Sequence, residues 1–107
     1  MAPADAVDPR CRLDPSGSGR YTLVGGLDLE SAASVLASGE AEFAAHPQVE
    51  IDLSGVTGAD SSALAVLIEW TRSARRDGRN IAFTGMPARL GEIARISGVY
   101  DLLPITG

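Results

Sequence analysis

Val49–Trp70, VEIDLSGVTGADSSALAVLIEW, decides the fold of this chain. Val49, Ile51 and Leu53 alternate with Glu50 and Asp52, the period of a strand with one buried face. Ser54, Gly55, Thr57 and Gly58 follow. Ser54 and Thr57 read as turn formers and the two glycines as flexible points, so Asp52 is expected to end the strand and brace a loop. Asp60-Ser61-Ser62 then opens a helix over 61–77. The first N–H groups of a helix lack intrahelical partners, so Asp or Ser there can accept their hydrogen bonds. The positive end of the helix dipole also favours negative charge, and the same geometry suits a phosphate carried on Ser61.

Set on a wheel of 100° per residue, Ser62, Ala65, Glu69, Arg72, Ser73 and Arg76 fall within a sector of about 100°. The remaining arc holds Ala63, Leu64, Val66, Leu67, Ile68, Trp70, Thr71 and Ala74 and is roughly 200° wide, against about 100° for an ordinary one-sided helix. One sheet face cannot cover it. Either neighbouring helices of the same domain bury the excess or a partner protein does, and Trp70 fits both a core position and an interface anchor.

Working outward, residues 1–9 are rich in Ala, Pro and Asp and read as a frayed tail ahead of a single domain over 10–107. Arg10–Leu13 reads as an edge strand, Asp14–Gly19 as a turn, and Tyr21–Val24 as a second strand ended by Gly25-Gly26. Asp28 is an N-cap with Ser31 in the first turn, and Leu29, Ala32, Ala33 and Leu36 give a helical pattern that runs toward Phe43 and Ala44 unless Gly39 breaks it. After the central stretch, Asp77-Gly78 stops the long helix and Ile81–Thr84 makes a fourth strand. Pro87 starts a helix through Ser97, and Gly98 ends it. A hairpin followed by helix, strand, helix, strand, helix is an α/β order with parallel crossovers, which gives a small four-stranded mixed sheet.

With 107 residues, 45% of them hydrophobic and 21% charged, the chain suits one small globular domain. No run approaches the apolar length of a membrane helix and the first twenty residues hold no signal-peptide core, so a cytoplasmic protein without direct membrane insertion is expected. Cys11 and His46, one residue of each type, are too few for structural zinc or Cys/His catalysis, and Gly25-Gly26 lacks the context of a nucleotide-binding loop. The net charge of −5 divides into −7 over residues 1–60 and +2 over 61–107. Nucleic-acid binding, which needs clustered cations, is therefore not expected. No acid, His or Lys adjoins Asp60 as an acid/base pair, and no catalytic residue, metal or cofactor is assigned.

Asp52-Leu53-Ser54, Val56 and Asp60-Ser61-Ser62-Ala63-Leu64 together resemble the signature of STAS domains, the group that includes anti-sigma factor antagonists. Leu67-Ile68-Glu69-Trp70, Arg72, Ala74, Gly78, Met86-Pro87, Leu90, Ala94-Arg95, Gly98-Val99 and Leu102-Leu103-Pro104 are similar to its MlaB branch, which serves bacterial phospholipid-transporting ABC complexes. The resemblance spans about residues 10–104. It implies a STAS fold with helices packed mainly on one sheet face and a non-enzymatic subunit bound to the transporter's ATPase, which alone would hold nucleotide. Asp60, Ser61, Ser62, Ala65 and Glu69 are the expected partner-binding residues, together with part of the apolar arc; in the isolated chain the same surface can support a homodimer. In antagonists the serine after the aspartate is phosphorylated by a partner kinase, which makes Ser61 a phosphorylation candidate. Antagonists often have glycine where Ala63 stands, which favours the MlaB branch. Plain capping by Ser61 is the third possibility, and small-molecule sensing, known in some STAS domains, finds no convergent polar site here.

Overall fold

Two strands, β1 (Cys11–Gly17) and β2 (Arg20–Leu27), form a hairpin through Ser18-Gly19, where φ of +71° at Gly19 needs a residue without a side chain. The structure is a computed structural model that describes residues 10–106, so the tail expected over 1–9 lies outside the described residues. Both strands are longer than the sequence pattern suggests. β1 continues through Asp14-Pro15-Ser16 because it is an edge strand, where Pro15 costs no ladder bond and a register shift between Pro15 and Gly17 absorbs the irregularity. Nor do Gly25-Gly26 end β2; they let it run close beneath β1. A Cβ on Gly25, whose φ is +114°, would lie 2.1 Å from the carbonyl oxygen of Arg10.

Asp28 caps α1 (Leu29–Phe43) as expected, accepting from the N–H groups of Glu30 at 3.0 Å and Ser31 at 3.2 Å. The Ser31 hydroxyl in turn accepts from the Asp28 N–H at 3.1 Å, closing a reciprocal cap. The central strand β3 spans Gln48–Ala59, so Ser54, Gly55, Thr57 and Gly58 are strand residues and not a turn. They remain extended because β2 pairs with β3 in parallel up to Leu27 opposite Ala59, with two irregularities in register. Asp52 accordingly sits inside the strand, its carboxylate accepting the Ser54 N–H at 2.9 Å. α2 (Ser61–Arg76), β4 (Asn80–Thr84), α3 (Ala88–Ile96) and a 3₁₀ turn at Tyr100–Leu102 complete the chain. Pro87 stands at the N-cap position of α3, one residue earlier than an N1 proline, with no side-chain cap bond.

The sheet order is β1-β2-β3-β4, with β1 antiparallel to β2 and the other pairs parallel. One face is the core: Tyr21, Leu23, Leu27, Ile51, Leu53 and Phe83 are buried there under the helices. The other carries Arg12, Asp14, Arg20, Thr22, Glu50 and Asp52, and remains polar.

Whether the wide apolar arc of α2 is covered from within is answered by α1. Trp70 is 1% exposed, stacks edge-on against Phe43 with centroids 5.1 Å apart, and donates its indole N–H to the Leu36 carbonyl at 3.2 Å. It is core. Ser73, assigned to the polar sector, is buried too and hydrogen-bonds Glu40 at 2.8 Å. The arc is thus not an open partner surface. Gly39 does not break α1: a Cβ there would come within 2.4 Å of three indole atoms of Trp70, so the glycine is the seat on which the ring rests. Gly→Ala inside a helix ordinarily gains about 1 kcal/mol, but here the clash reverses the sign. Gly39→Ala is expected to lower stability by about 1–3 kcal/mol, seen as an earlier urea midpoint.

Tyr21 extends the aromatic row, its ring 5.3 Å from Phe43 and its hydroxyl 3.3 Å from a Glu42 carboxylate oxygen. Burial, then the Glu42 charge, pushes the phenol above its usual pKa of 10.0. A raised folded-state value means the unfolded chain releases this proton first, so the tyrosine's contribution is intact below about pH 10 and is lost as pH rises beyond it. Denaturation midpoints followed across that range should fall less steeply for Tyr21→Phe.

Candidate functional site

The parallel pairing of β2 and β3 ends with Leu27 opposite Ala59, so α1 and α2 start side by side at one end of the sheet, each under an aspartate cap. Asp60 is in extended conformation and its carboxylate accepts the Ser62 N–H at 2.8 Å. Capping therefore falls to Asp60. Asp60→Ala should cost on the order of 1 kcal/mol of stability by thermal melting while leaving the fold intact. Ser61 is exposed at the first helical position, and its hydroxyl has no hydrogen-bond partner among the described residues.

Ser61 and Ala65 are exposed, Ser62 and Ile68 half-buried, and Glu69 exposed with an ion pair to Arg72 at 3.5 Å. At 100° per residue Ser61, Ala65, Glu69, Arg72 and Arg76 lie within about 80° of one another, on the side of α2 turned away from Trp70. Of the five residues expected to contact a partner, Ser61, Ala65 and Glu69 share one open face. Ser62 lies at its margin, turned toward the packed side, and Asp60 is half-buried in its capping role. The apolar part of the expected surface is absent from this face apart from Ala65 and Ile68, because the rest is buried in the domain core.

One neighbour was missed in the sequence. Leu29, the first residue of α1, is 77% exposed at the end of the sheet where Ser61 lies. Its helical spacing marks it as a core residue, and only the register of β2 against β3 places it at the same end of the sheet as Ser61. No helix among the described residues is long and apolar enough to cross a membrane.

Comparison with known proteins agrees with the architecture. A family model described as "Mlab, STAS domain" matches residues 12–104. Among solved structures, the anti-sigma factor antagonist SpoIIAA in its unphosphorylated form superposes with a TM-score of 0.68 at 14% identity, covering 91% of this chain and 88% of its own. A sulfate transporter family protein from Wolinella succinogenes gives 0.67 at 17% identity, with 92% and 85% covered. An anti-sigma factor antagonist from Mycobacterium paratuberculosis gives 0.65 at 17% identity, with 92% and 88% covered. A search of curated proteins finds no match. At such identities the structural likenesses establish the fold, while the family match extends over most of the sequence. STAS domains are in general non-catalytic regulatory or interaction modules. The chain belongs to the MlaB-type STAS domain family.

Proposed function

We propose that this chain is a non-enzymatic cytoplasmic subunit that docks on the ATPase of an Mla-type ABC phospholipid transporter and supports its assembly and activity. The observation that carries the reading is the open face of α2: Ser61 and Ala65 stand exposed on a helix whose opposite side is anchored by Trp70 in the core. Small side chains on a rigid helix permit close approach at little entropic cost. Leu29 adds an exposed apolar side chain at the same end of the domain. The "Mlab" description of the matching family supports an ABC ATPase as the occupant. To test it, the purified chain is mixed with an Mla-type ABC ATPase from the same genome and the complex is sought by size-exclusion chromatography. A co-eluting complex with raised ATP turnover supports the reading, and separate elution at micromolar concentrations overturns it.

The second reading is an anti-sigma factor antagonist switched by phosphorylation at Ser61. In its favour, the Ser61 hydroxyl is exposed and unbonded among the described residues, and two of the structural neighbours are named as such antagonists. A phosphate there would add about −1.5 to −2 charges beside the Asp60 carboxylate and alter whatever docks on the face. Incubation with an anti-sigma kinase and ATP, followed by intact-mass measurement, separates the two. A stoichiometric gain of one phosphate on Ser61 favours the switch.

A further inference from the structure

The open face of α2 changes character along its length. Its N-terminal half offers Ser61, Ala65 and Ile68, whereas its C-terminal half offers Arg72, Arg75 and Arg76. At 1.5 Å per residue the face is about 22 Å long, enough for a partner to sense both halves. Arg72 pairs with Glu69 at 3.5 Å and Arg76 with Asp77 at 3.3 Å, with the arginine side chains 73% and 69% exposed. Arg75, also exposed, has no ion pair among the described residues. Exposed pairs of this kind contribute little, so these guanidinium groups can turn to new carboxylates at small cost. The helix dipole explains cations in the last turn, where Arg75 and Arg76 lie, but not Arg72 one turn earlier.

We infer that the docking partner presents an acidic surface to the C-terminal half of α2, and that Arg72, Arg75 and Arg76 recognise its carboxylates and steer the encounter. The inference rests on the docking reading above and specifies the chemistry of the partner. Charge complementarity selects a protein surface over the alternatives. A flat anionic membrane touching the arginines would also meet the acids of a chain whose net charge is −5, with Glu69 and Asp77 on or beside this helix face. A second copy docking through the same face would add three more arginines and one acid, Glu69, so that cations remain in excess. A shaped acidic patch ending in a neutral shelf matches both halves.

The test compares the native chain, the triple neutral variant Arg72→Gln/Arg75→Gln/Arg76→Gln and its triple Glu counterpart, each checked by circular dichroism. Binding kinetics to the ATPase are followed from about 50 mM to about 500 mM salt. Association of the native chain should slow steeply with salt; at low salt the Gln variant should associate roughly 10-fold more slowly, and the Glu variant more slowly still, with a flattened salt dependence. Dissociation should change much less. Unchanged association and salt dependence, in an assay where Ser61→Glu still weakens binding, would overturn this inference while leaving the docking reading intact. If neither set of variants alters binding, α2 is not the docking face, whereas loss of the native complex itself is what overturns the docking reading. Arginine-dependent capture on vesicles of about one quarter phosphatidylglycerol, or arginine-dependent dimers by light scattering, without an effect on ATPase association, also overturns it.

Discussion

Trp70→Ala is expected to destabilise the domain by about 3–5 kcal/mol, the range for truncating a large buried aromatic. Small domains have about 5–15 kcal/mol in total, so the variant should be marginal near body temperature. Three losses combine: the ring packed against Phe43, the indole hydrogen bond to the Leu36 carbonyl, and the contact with the bare backbone of Gly39. Thermal melting should show a fall of more than about 12 °C, since each kcal/mol shifts a domain of this size by about 4–8 °C. Trp70→Phe should lie between, keeping a ring but leaving the carbonyl unpaired. The coupling is specific. In the Trp70→Ala background, Gly39→Ala loses its clash and should become neutral or slightly stabilising, a sign reversal that a double-mutant cycle detects. Two substitutions that each remain destabilising and simply add would show that the two helices are not seated through this contact.

The second large effect concerns binding. Ser61→Glu is expected to weaken association with the ATPase roughly 100-fold or more, about 3 kcal/mol, because the docked face would trap a carboxylate with no partner. The free chain should not suffer, since a carboxylate in the first helical turn interacts favourably with the helix dipole, by about 0.3–1 kcal/mol. A folded, equally stable protein that no longer binds is thus the expected result. Titration calorimetry measures both affinities, and Ser16→Glu, an exposed change on β1 near the hairpin turn, serves as the control that should bind like the native chain. Native-like affinity for Ser61→Glu would remove Ser61 from the interface.

How much of this was legible in the sequence depended on whether a residue's role is set locally. The cap at Asp28, the cap at Asp60, and the alternation of Val49, Ile51 and Leu53 are decided within a few residues, and each stands where the sequence put it. Ser54–Gly58 has the composition of a turn, yet pairing with β2 holds it extended, an effect of distant chain that propensity does not carry. Pro15 survives in a strand because that strand is at the edge. Gly39 offers the sharpest case. Its lack of a side chain matters only because Trp70, far along the sequence, lies on it, so a helix breaker in the sequence is a packing seat in the fold. The candidate site divides the same way. The exposure of Ser61, Ala65 and Glu69 follows from helical spacing, but the burial of the wide apolar arc within the domain, and the placing of Leu29 at the same end of the sheet as Ser61, require the tertiary arrangement.

Whether a partner ATPase sits on the open face of α2 is read by hydroxyl-radical footprinting of the chain alone and in the mixture. Modification of Leu29, Ile68 and Arg72 should fall on mixing, while Leu102 and the polar sheet face around Arg12 and Thr22 remain as reactive as before. Protection of the sheet face with Leu29 and Ile68 unchanged would contradict that placement.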